Sequence, residues 1–147
     1  MKINQNLIGV YGIINDIEPS YEGYGKEKQT MNNEKVYGMS FAKIYPLLVA
    51  KAEKKGRTVE EVNEIICWLT GYENQEIENA FHGTVTYGEF FQNAPVLNPN
   101  RKLIQGTVCG VRVETMEESL MQEIRYLDKL IDELAKGRPM HKILRKQ

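Results

Sequence analysis

Residues 115–137 read TMEESLMQEIRYLDKLIDELAKG, and this stretch decides the fold. Thr115 and Glu118 have the spacing of a capping box, in which each side chain accepts a hydrogen bond from the other residue's backbone amide. Apolar residues then recur at helical steps and share one face: Met116, Leu120, Ile124, Leu127, Ile131 and Leu134. Because Gly137 can adopt the left-handed conformation that commonly ends a helix, the sequence predicts a helix over residues 116–136. We expect Leu127, at its centre, to be fully buried.

Shorter helices are predicted around this long one from their caps and breakers. Their starts are expected at Ser40, Thr58, Asn74, Thr86 and Pro139. Pro46 lies inside the first of them, so we expect that helix either to be kinked there or to begin near Tyr45. Residues 94–101 contain two prolines and are predicted to be irregular, whereas residues 103–113 favour a short strand or a tight loop.

The predicted fold class is therefore mainly α. We expect a small bundle of about six helices around the long helix 116–136, with at most a short β element from residues 7–17, residues 103–113, or both. The chain has 147 residues, of which 41% are apolar, and this suits a single hydrophobic core. Residues 1–33 differ in character, and Met31 is a plausible translation start. We expect residues 1–33 to be an N-terminal extension or appendage and residues 34–147 to form the helical domain.

The net charge of −1 is distributed unevenly along the chain. Two basic runs, within residues 51–57 and 136–146, alternate with acidic stretches in residues 60–64 and 114–123. Such alternation is typical of solvated helix faces, so nucleic-acid binding is not favoured. The sequence contains neither a signal-peptide region nor an apolar run long enough to cross a bilayer. We therefore expect a cytoplasmic protein with no membrane contact.

Few residues suggest a particular chemistry. Cys67 and Cys109 are too far apart for a CxxC motif, and we expect both to be reduced thiols. His82 and His141 lack the spacing of metal ligands, so neither a metal site nor a cofactor is predicted. The sequence contains no recognisable catalytic motif, and the catalytic residues of any enzyme activity are therefore unknown.

A candidate anion site is the most specific functional hypothesis from the residues themselves. Asn98 and Asn100 flank a proline and precede Arg101, so amide and guanidinium groups on one rigid loop can bind phosphate or carboxylate. Asparagine equally forms turns, and the arginines are equally suited to pair with acidic residues of the long helix. The two interpretations remain open. The complete candidate set is Lys51, Arg57, Asn98, Asn100, Arg101 and Arg112.

Several blocks of the sequence together resemble a known bacterial family. These blocks are VYGMSFA (36–42), KAEKKGRT (51–58), WLTGY (68–72), NPNR (98–101), CGVRVE (109–114) and IRYLDKL (124–130). In this order they resemble the bacterial domain of unknown function family 2200, over about residues 35–145. The resemblance implies a small, mainly helical cytoplasmic domain. It implies no substrate, cofactor or functional residues.

Three classes of function follow from these observations. A non-catalytic helical module that binds itself or another protein is favoured, because the chain offers amphipathic helices. The alternative is a domain that binds an anionic small molecule or nucleic acid through the candidate anion site. Rising salt should weaken phosphate contacts steeply, whereas an apolar helix interface should persist. The third is an enzyme, since a helical cavity can bring together groups that no linear pattern reveals.

Overall fold

The structure, a computed structural model, describes residues 33–146. Over these residues the chain forms seven α-helices and one two-stranded antiparallel sheet. The helices are α1 (33–38), α2 (Phe41–Glu53), α3 (Val59–Thr70), α4 (Asn74–Phe81), α5 (Tyr87–Gln92), α6 (Leu120–Ala135) and α7 (Met140–Ile143), and the strands are β1 (Thr107–Val108) and β2 (Val111–Arg112). The mainly helical fold is confirmed, with α1 as the helix that the sequence did not predict. Residues 1–32 of the predicted extension, and with them the β element at 7–17, lie outside the described residues.

Helix α6 lies at the centre of the bundle and packs against α2, α3, α5, α7 and β1. Its apolar stripe is buried: Ile124, Leu127 and Leu134 are each 0% exposed. The predicted burial of Leu127 is therefore confirmed. Gly137 follows the helix with φ +94°, and the amide of Arg138 reaches back to the carbonyl of Glu133 at 3.0 Å. The predicted glycine stop is thus also present, in the form of a Schellman-type cap.

The start of this helix differs from the prediction. Helix α6 begins at Leu120 rather than at residue 116. Its cap is Ser119, whose hydroxyl accepts a hydrogen bond from the amide of Gln122 at 3.3 Å. Serine is as good a cap as threonine, so two possible starts lie close together in the sequence. Local propensity did not distinguish between them.

The side chains of the predicted capping box have other partners. The hydroxyl of Thr115 donates to the carbonyl of Arg112 at 2.9 Å within a short 3₁₀ turn (Val113–Thr115). The carboxylate of Glu118 pairs with Lys102 at 2.7 Å. The predicted capping box at Thr115 is therefore wrong, because Thr115 bonds within a turn and Glu118 pairs with Lys102, which is distant in sequence.

Helix α2 runs without interruption through its internal proline. The hydroxyl of Ser40 accepts from the amide of Lys43 at 3.1 Å, which confirms the predicted start and excludes a start near Tyr45. Pro46 has no amide proton, so it cannot donate to the carbonyl of Ala42 as the fourth residue along a helix normally does. The cap and the buried apolar face of the first turn hold the helix together despite this lost hydrogen bond.

Two of the predicted capping boxes are present, at Thr58 before α3 and at Thr86 before α5. The predicted cap at Asn74 is wrong, because the extended residue before α4 is Glu73 and Asn74 is already helical. The amide of Glu73 donates to the carboxylate of Glu76 at 2.9 Å. The capping box between Glu73 and Glu76 therefore caps the start of α4, and Asn74 is not the cap.

The segment predicted to be irregular is ordered at its end, because residues Pro99–Leu103 form a 3₁₀ helix. Proline fits the first position of a helix, where no amide donor is needed. Earlier in this segment the chain crosses the end of α3. Gly71 there has φ +81°, and a Cβ atom on it would lie 2.8 Å from the backbone nitrogen of Val96. Only glycine allows both the helix stop and this close approach.

The predicted short β element at residues 103–113 is confirmed as a hairpin. Thr107 pairs with Arg112, and Val108 pairs with Val111. The two residues of the turn, Cys109 and Gly110, both have positive φ (56° and 77°). This is the backbone twist that two-residue hairpins favour, and β1 uses it to lie against α6.

Candidate functional site

The asparagines of the candidate anion site hold their own loop in place. The side chain of Asn98 accepts from the amide of Asn100 at 2.9 Å and donates to the carbonyl of Trp68 at 3.2 Å. The side chain of Asn100 donates to the carbonyl of Arg145 at 3.3 Å. These bonds connect the loop to α3 and to the C-terminal residues. They are the contacts expected of asparagines that form turns.

Arg101 follows them and pairs with the central helix. Its Nε donates to Oε1 of Glu123 at 2.8 Å, and its Nη1 donates to the carbonyl of Asn98 at 3.0 Å. The two side chains of the ion pair are only 15% and 13% exposed. Two of the donors of the guanidinium are thus directed to groups of the protein itself.

Arg57 connects the α2–α3 turn to the end of α6. It donates to both carboxylate oxygens of Glu61, at 3.1 and 2.9 Å, and to the carbonyls of Leu134 and Arg138, at 3.1 and 2.9 Å. The hydrogen bond from Arg57 lowers the pKa of Glu61. The carbonyls at the end of a helix lack internal donors, and Arg57 supplies one.

The two remaining candidates lie on other elements. Lys51 of α2 lies 3.5 Å from Oδ1 of Asp132. Arg112 of β2 pairs with Glu114 at 2.6 Å and is 63% exposed. The pKa of Glu114 is lowered chiefly by the amide of Gly106 and to a smaller extent by Arg112.

The structure therefore brings Asn98, Asn100 and Arg101 together on one loop and places Lys51, Arg57 and Arg112 elsewhere. The anion site remains a prediction.

An apolar groove lies on another face of the molecule, between α2, α3 and α4. Its volume is about 460 Å³, and its lining is Tyr45, Pro46, Val49, Ala50, Glu53, Val59, Glu78 and Phe81. The valines and the phenylalanine are half-buried and pack on the core from outside, whereas Pro46 is exposed. The groove thus presents apolar side chains that the core of the domain does not fully cover.

Tyr45 forms the base of this groove and is rigidly held. Its ring stacks on Phe41 with centroids 5.3 Å apart and lies 5.2 Å from the ring of Phe81. Its hydroxyl donates to the side chain of Asn63 at 2.6 Å. Contacts between aromatic rings at these distances are favourable, so they stabilise the position of Tyr45 at the base of the groove.

Sequence reasoning missed this groove, although a signal was present. Pro46, Val49, Ala50 and Glu53 follow at steps of three, one and three residues, which places them on one face of a helix. The sequence therefore indicates that α2 has a second face, in addition to the buried one, on which these residues lie. Val59 and Phe81 come from other helices, and only the packing of α3 and α4 on α2 brings them beside it.

The thiols and imidazoles take no part in the groove's lining. Burial is the main cause that raises the pKa of Cys67, and nearby carboxylates raise it further, which favours the neutral thiol. His82 pairs with Glu78 at 2.8 Å on the surface. Among residues 33–146, no group of three or more histidines, cysteines and acidic residues is arranged to hold a metal ion. Within the same part of the chain, none of the helices is both long and apolar enough to span a bilayer.

The fold and its surface define a small, mainly helical domain with a preformed apolar groove. The chain belongs to the family described as "Uncharacterized protein conserved in bacteria (DUF2200)", whose profile matches residues 35–145. This confirms the resemblance found in the sequence. The solved structure described as "Crystal structure of uncharacterized protein SP1917" is similar to it, with 48% sequence identity and a TM-score of 0.73. The match covers 76% of this chain and 91% of that one. None of the curated proteins compared with the chain matches it significantly.

Proposed function

We propose that this protein is a non-catalytic interaction module whose apolar groove receives the apolar side chains of a helical segment of another protein. The observation that carries the proposal is the groove itself, with a rigid aromatic base and a volume of about 460 Å³. Ligand sites in proteins are commonly concave, mostly apolar and about 300 to 1,000 Å³ in volume.

The shape of the groove favours a helix as its occupant. It runs along α2 and is bounded by α3 and α4, so an added helix would pack against three existing ones. Helices bind such grooves through side chains at steps of three and four residues. Val49 and Phe81 are both half-buried, and covering their remaining surface would contribute favourably to binding.

A neutral amphipathic peptide tests the proposal. We expect a helical peptide of about 15 residues, with leucine on one face and glutamine on the other, to shift the NMR signals of residues that line the groove. Val49→Ser should weaken this binding by about tenfold, since it removes apolar contact area. Val96→Ser is the matched control, because Val96 is 65% exposed and lies outside the groove.

Other outcomes would contradict the proposal or change the occupant. Equal binding by the Val49→Ser and Val96→Ser variants, or signal shifts confined to another face, would show that the groove is not the interface. Groove signals that shift with protein concentration in the absence of peptide would identify a second copy of the chain as the occupant. Analytical ultracentrifugation at the same concentrations distinguishes these cases.

A further inference from the structure

Carboxylates surround the apolar groove. Glu53 and Glu78 are part of its lining. Burial is the main cause that raises the pKa of the Tyr45 hydroxyl, and its hydrogen bond to Asn63 lowers this pKa. The negative charges of Glu78 and Glu60 raise the same pKa further. Three carboxylates from α2, α3 and α4 therefore lie near the aromatic base of the groove.

The acidic surface continues along the junction of α3 and α4. Cys67 also raises the pKa of the Tyr45 hydroxyl. The exposed carboxylates of Glu64, Glu73 and Glu76 raise the pKa of the Cys67 thiol in turn. We use the name acidic face for the six glutamates that line the groove or act on the Tyr45 hydroxyl or the Cys67 thiol: Glu53, Glu60, Glu64, Glu73, Glu76 and Glu78.

We propose that the occupant of the groove is a cationic amphipathic helix, with apolar side chains in the groove and lysine or arginine side chains opposite the acidic face. This inference rests on the proposed function and adds the charge of the partner. Opposite charges across an interface accelerate association and exclude partners of the wrong sign. A helix with an acidic polar face would meet like charges and be rejected.

Three peptides with the same leucine face and different polar faces test the inference. We expect the peptide with lysine to bind about tenfold more tightly than the peptide with glutamine at low salt, since several exposed pairs each contribute modestly. The peptide with glutamate should bind more weakly than both. The difference between lysine and glutamine should shrink as salt rises, because surface charges are screened.

The same experiment separates failure of the inference from failure of the proposed function. Equal binding of the lysine and glutamine peptides would overturn the cationic partner and leave the interaction module standing. Absence of binding by both would overturn the proposed function as well. The double variant Glu53→Gln/Glu78→Gln should lower the ratio of the affinity for the lysine peptide to the affinity for the glutamine peptide. Glu117→Gln, on the exposed segment before α6, is the control and should leave this ratio unchanged.

A different part of the molecule carries a second inference. Among the described residues, the buried side-chain atoms without a hydrogen-bond partner are concentrated on α5 and α6: Tyr87 Oη, Gln122 Oε1, Arg125 Nε and Nη1, and Asp128 Oδ2. Arg125 Nη1 and Asp128 Oδ2 are 3.7 Å apart, which is too long for a hydrogen bond. Leaving such groups unsatisfied inside a protein is costly.

A proton is a ligand that this cluster can bind. The unpartnered atoms of Tyr87, Arg125 and Asp128 are all buried, and protonation of Asp128 removes the buried negative charge of its carboxylate. Burial is the main cause that raises the pKa of Asp128, from 3.8 to about 7. The positive charges of Arg125 and Lys51 act in the opposite direction, and Asp132 raises the pKa further.

We infer that Asp128 is a proton-operated switch, held neutral in the tightly packed state, whose ionisation weakens the packing of α6 against α2 and α5. The groups that face it are Lys51 on α2, Tyr87 on α5, and Arg125 and Asp132 on α6 itself. Of these, Tyr87 is fully buried, and burial raises the pKa of its hydroxyl well above the ordinary value, so that it stays neutral. Of Tyr87 and Asp128, only Asp128 therefore gains and loses its proton near neutral pH.

The sign of the pH dependence follows from the two states. Asp128 binds its proton more tightly in the folded chain, with a pKa of about 7, than in the unfolded chain, where the pKa approaches the ordinary value of 3.8. The free energy of unfolding therefore decreases as the pH rises from 3.8 to about 7, and above this range Asp128 causes no further change. Relative to Asp128→Asn, the unfolding equilibrium constant of the wild type should rise about tenfold per pH unit in this range.

Two measurements decide whether the switch exists. The carboxyl carbon of Asp128 in the wild-type protein should titrate by NMR with a midpoint of about 7, and a midpoint near 3.8 would overturn the inference even if Asp128→Asn does not fold. The amides of α6 should lose protection from hydrogen exchange as Asp128 ionises, after correction for the intrinsic pH dependence of exchange. Unchanged protection across the titration would also overturn it.

Discussion

Leu127→Ala is expected to lower the free energy of unfolding by roughly 2 to 5 kcal/mol. Leu127 is 0% exposed and lies in the middle of α6, the helix against which most of the others pack. Truncation removes the transfer free energy of the lost atoms and leaves a cavity that close-packed neighbours fill only in part. Chemical denaturation of both proteins, monitored by circular dichroism, measures the change.

The matched control for this prediction is an exposed aliphatic residue. Val96 is 65% exposed, so Val96→Ala should change stability by no more than about half a kcal/mol. A similarly small effect of Leu127→Ala would contradict the central position of α6. Comparison of the denaturant slopes of the two variants shows whether the unfolded state has changed as well.

Arg101→Ala is expected to produce the second large effect, a loss of roughly 2 to 4 kcal/mol. Its partner Glu123 is only 13% exposed, so removal of the guanidinium leaves a largely buried carboxylate without its charged neighbour. The carbonyl of Asn98 loses a donor at the same time. Thermal and chemical unfolding of the variant measure this loss.

Arg112→Ala is the control, because its pair with Glu114 is exposed on the arginine side and should contribute at most about 1 kcal/mol. The Arg101→Ala variant also tests the anion site predicted from the sequence, for which Arg112 is a candidate residue and not a control. If that site exists, Arg101→Ala should abolish binding of phosphate compounds and leave stability close to that of the wild type. A large drop in stability, with no phosphate ligand found by screening the wild type, would reject the anion site.

Much of the helical framework was readable from local patterns. The capping boxes at Thr58 and Thr86, and the glycines after α3 and α6, place helix ends correctly because each signal acts within one turn of backbone. The burial of Leu127 followed from the period of the apolar residues alone. The start of α6 did not, because Thr115 and Ser119 are both good caps and contacts with Lys102 and Arg112 decided between them.

The partners of charged side chains were beyond reach of the sequence. Arg101 and Glu123 are 22 positions apart, and Arg57 binds carbonyls of α6 and the residue after its glycine stop, which lie 77 and 81 positions away. Nothing in the spacing of such residues selects one partner from the many carboxylates and carbonyls available. The choice between a ligand-binding arginine and a structural one therefore depends on the packing.

By itself, the sequence determined a mainly helical domain, its central helix, most of its helix ends and its membership of a bacterial family. Only the tertiary structure decided where the apolar groove lies and that Asp128 is buried beside Arg125 and Tyr87. The physical reason is the range of the forces involved. Caps and periodicity act between residues a few positions apart, whereas burial and electrostatic environment depend on every element packed nearby, whatever its distance along the chain.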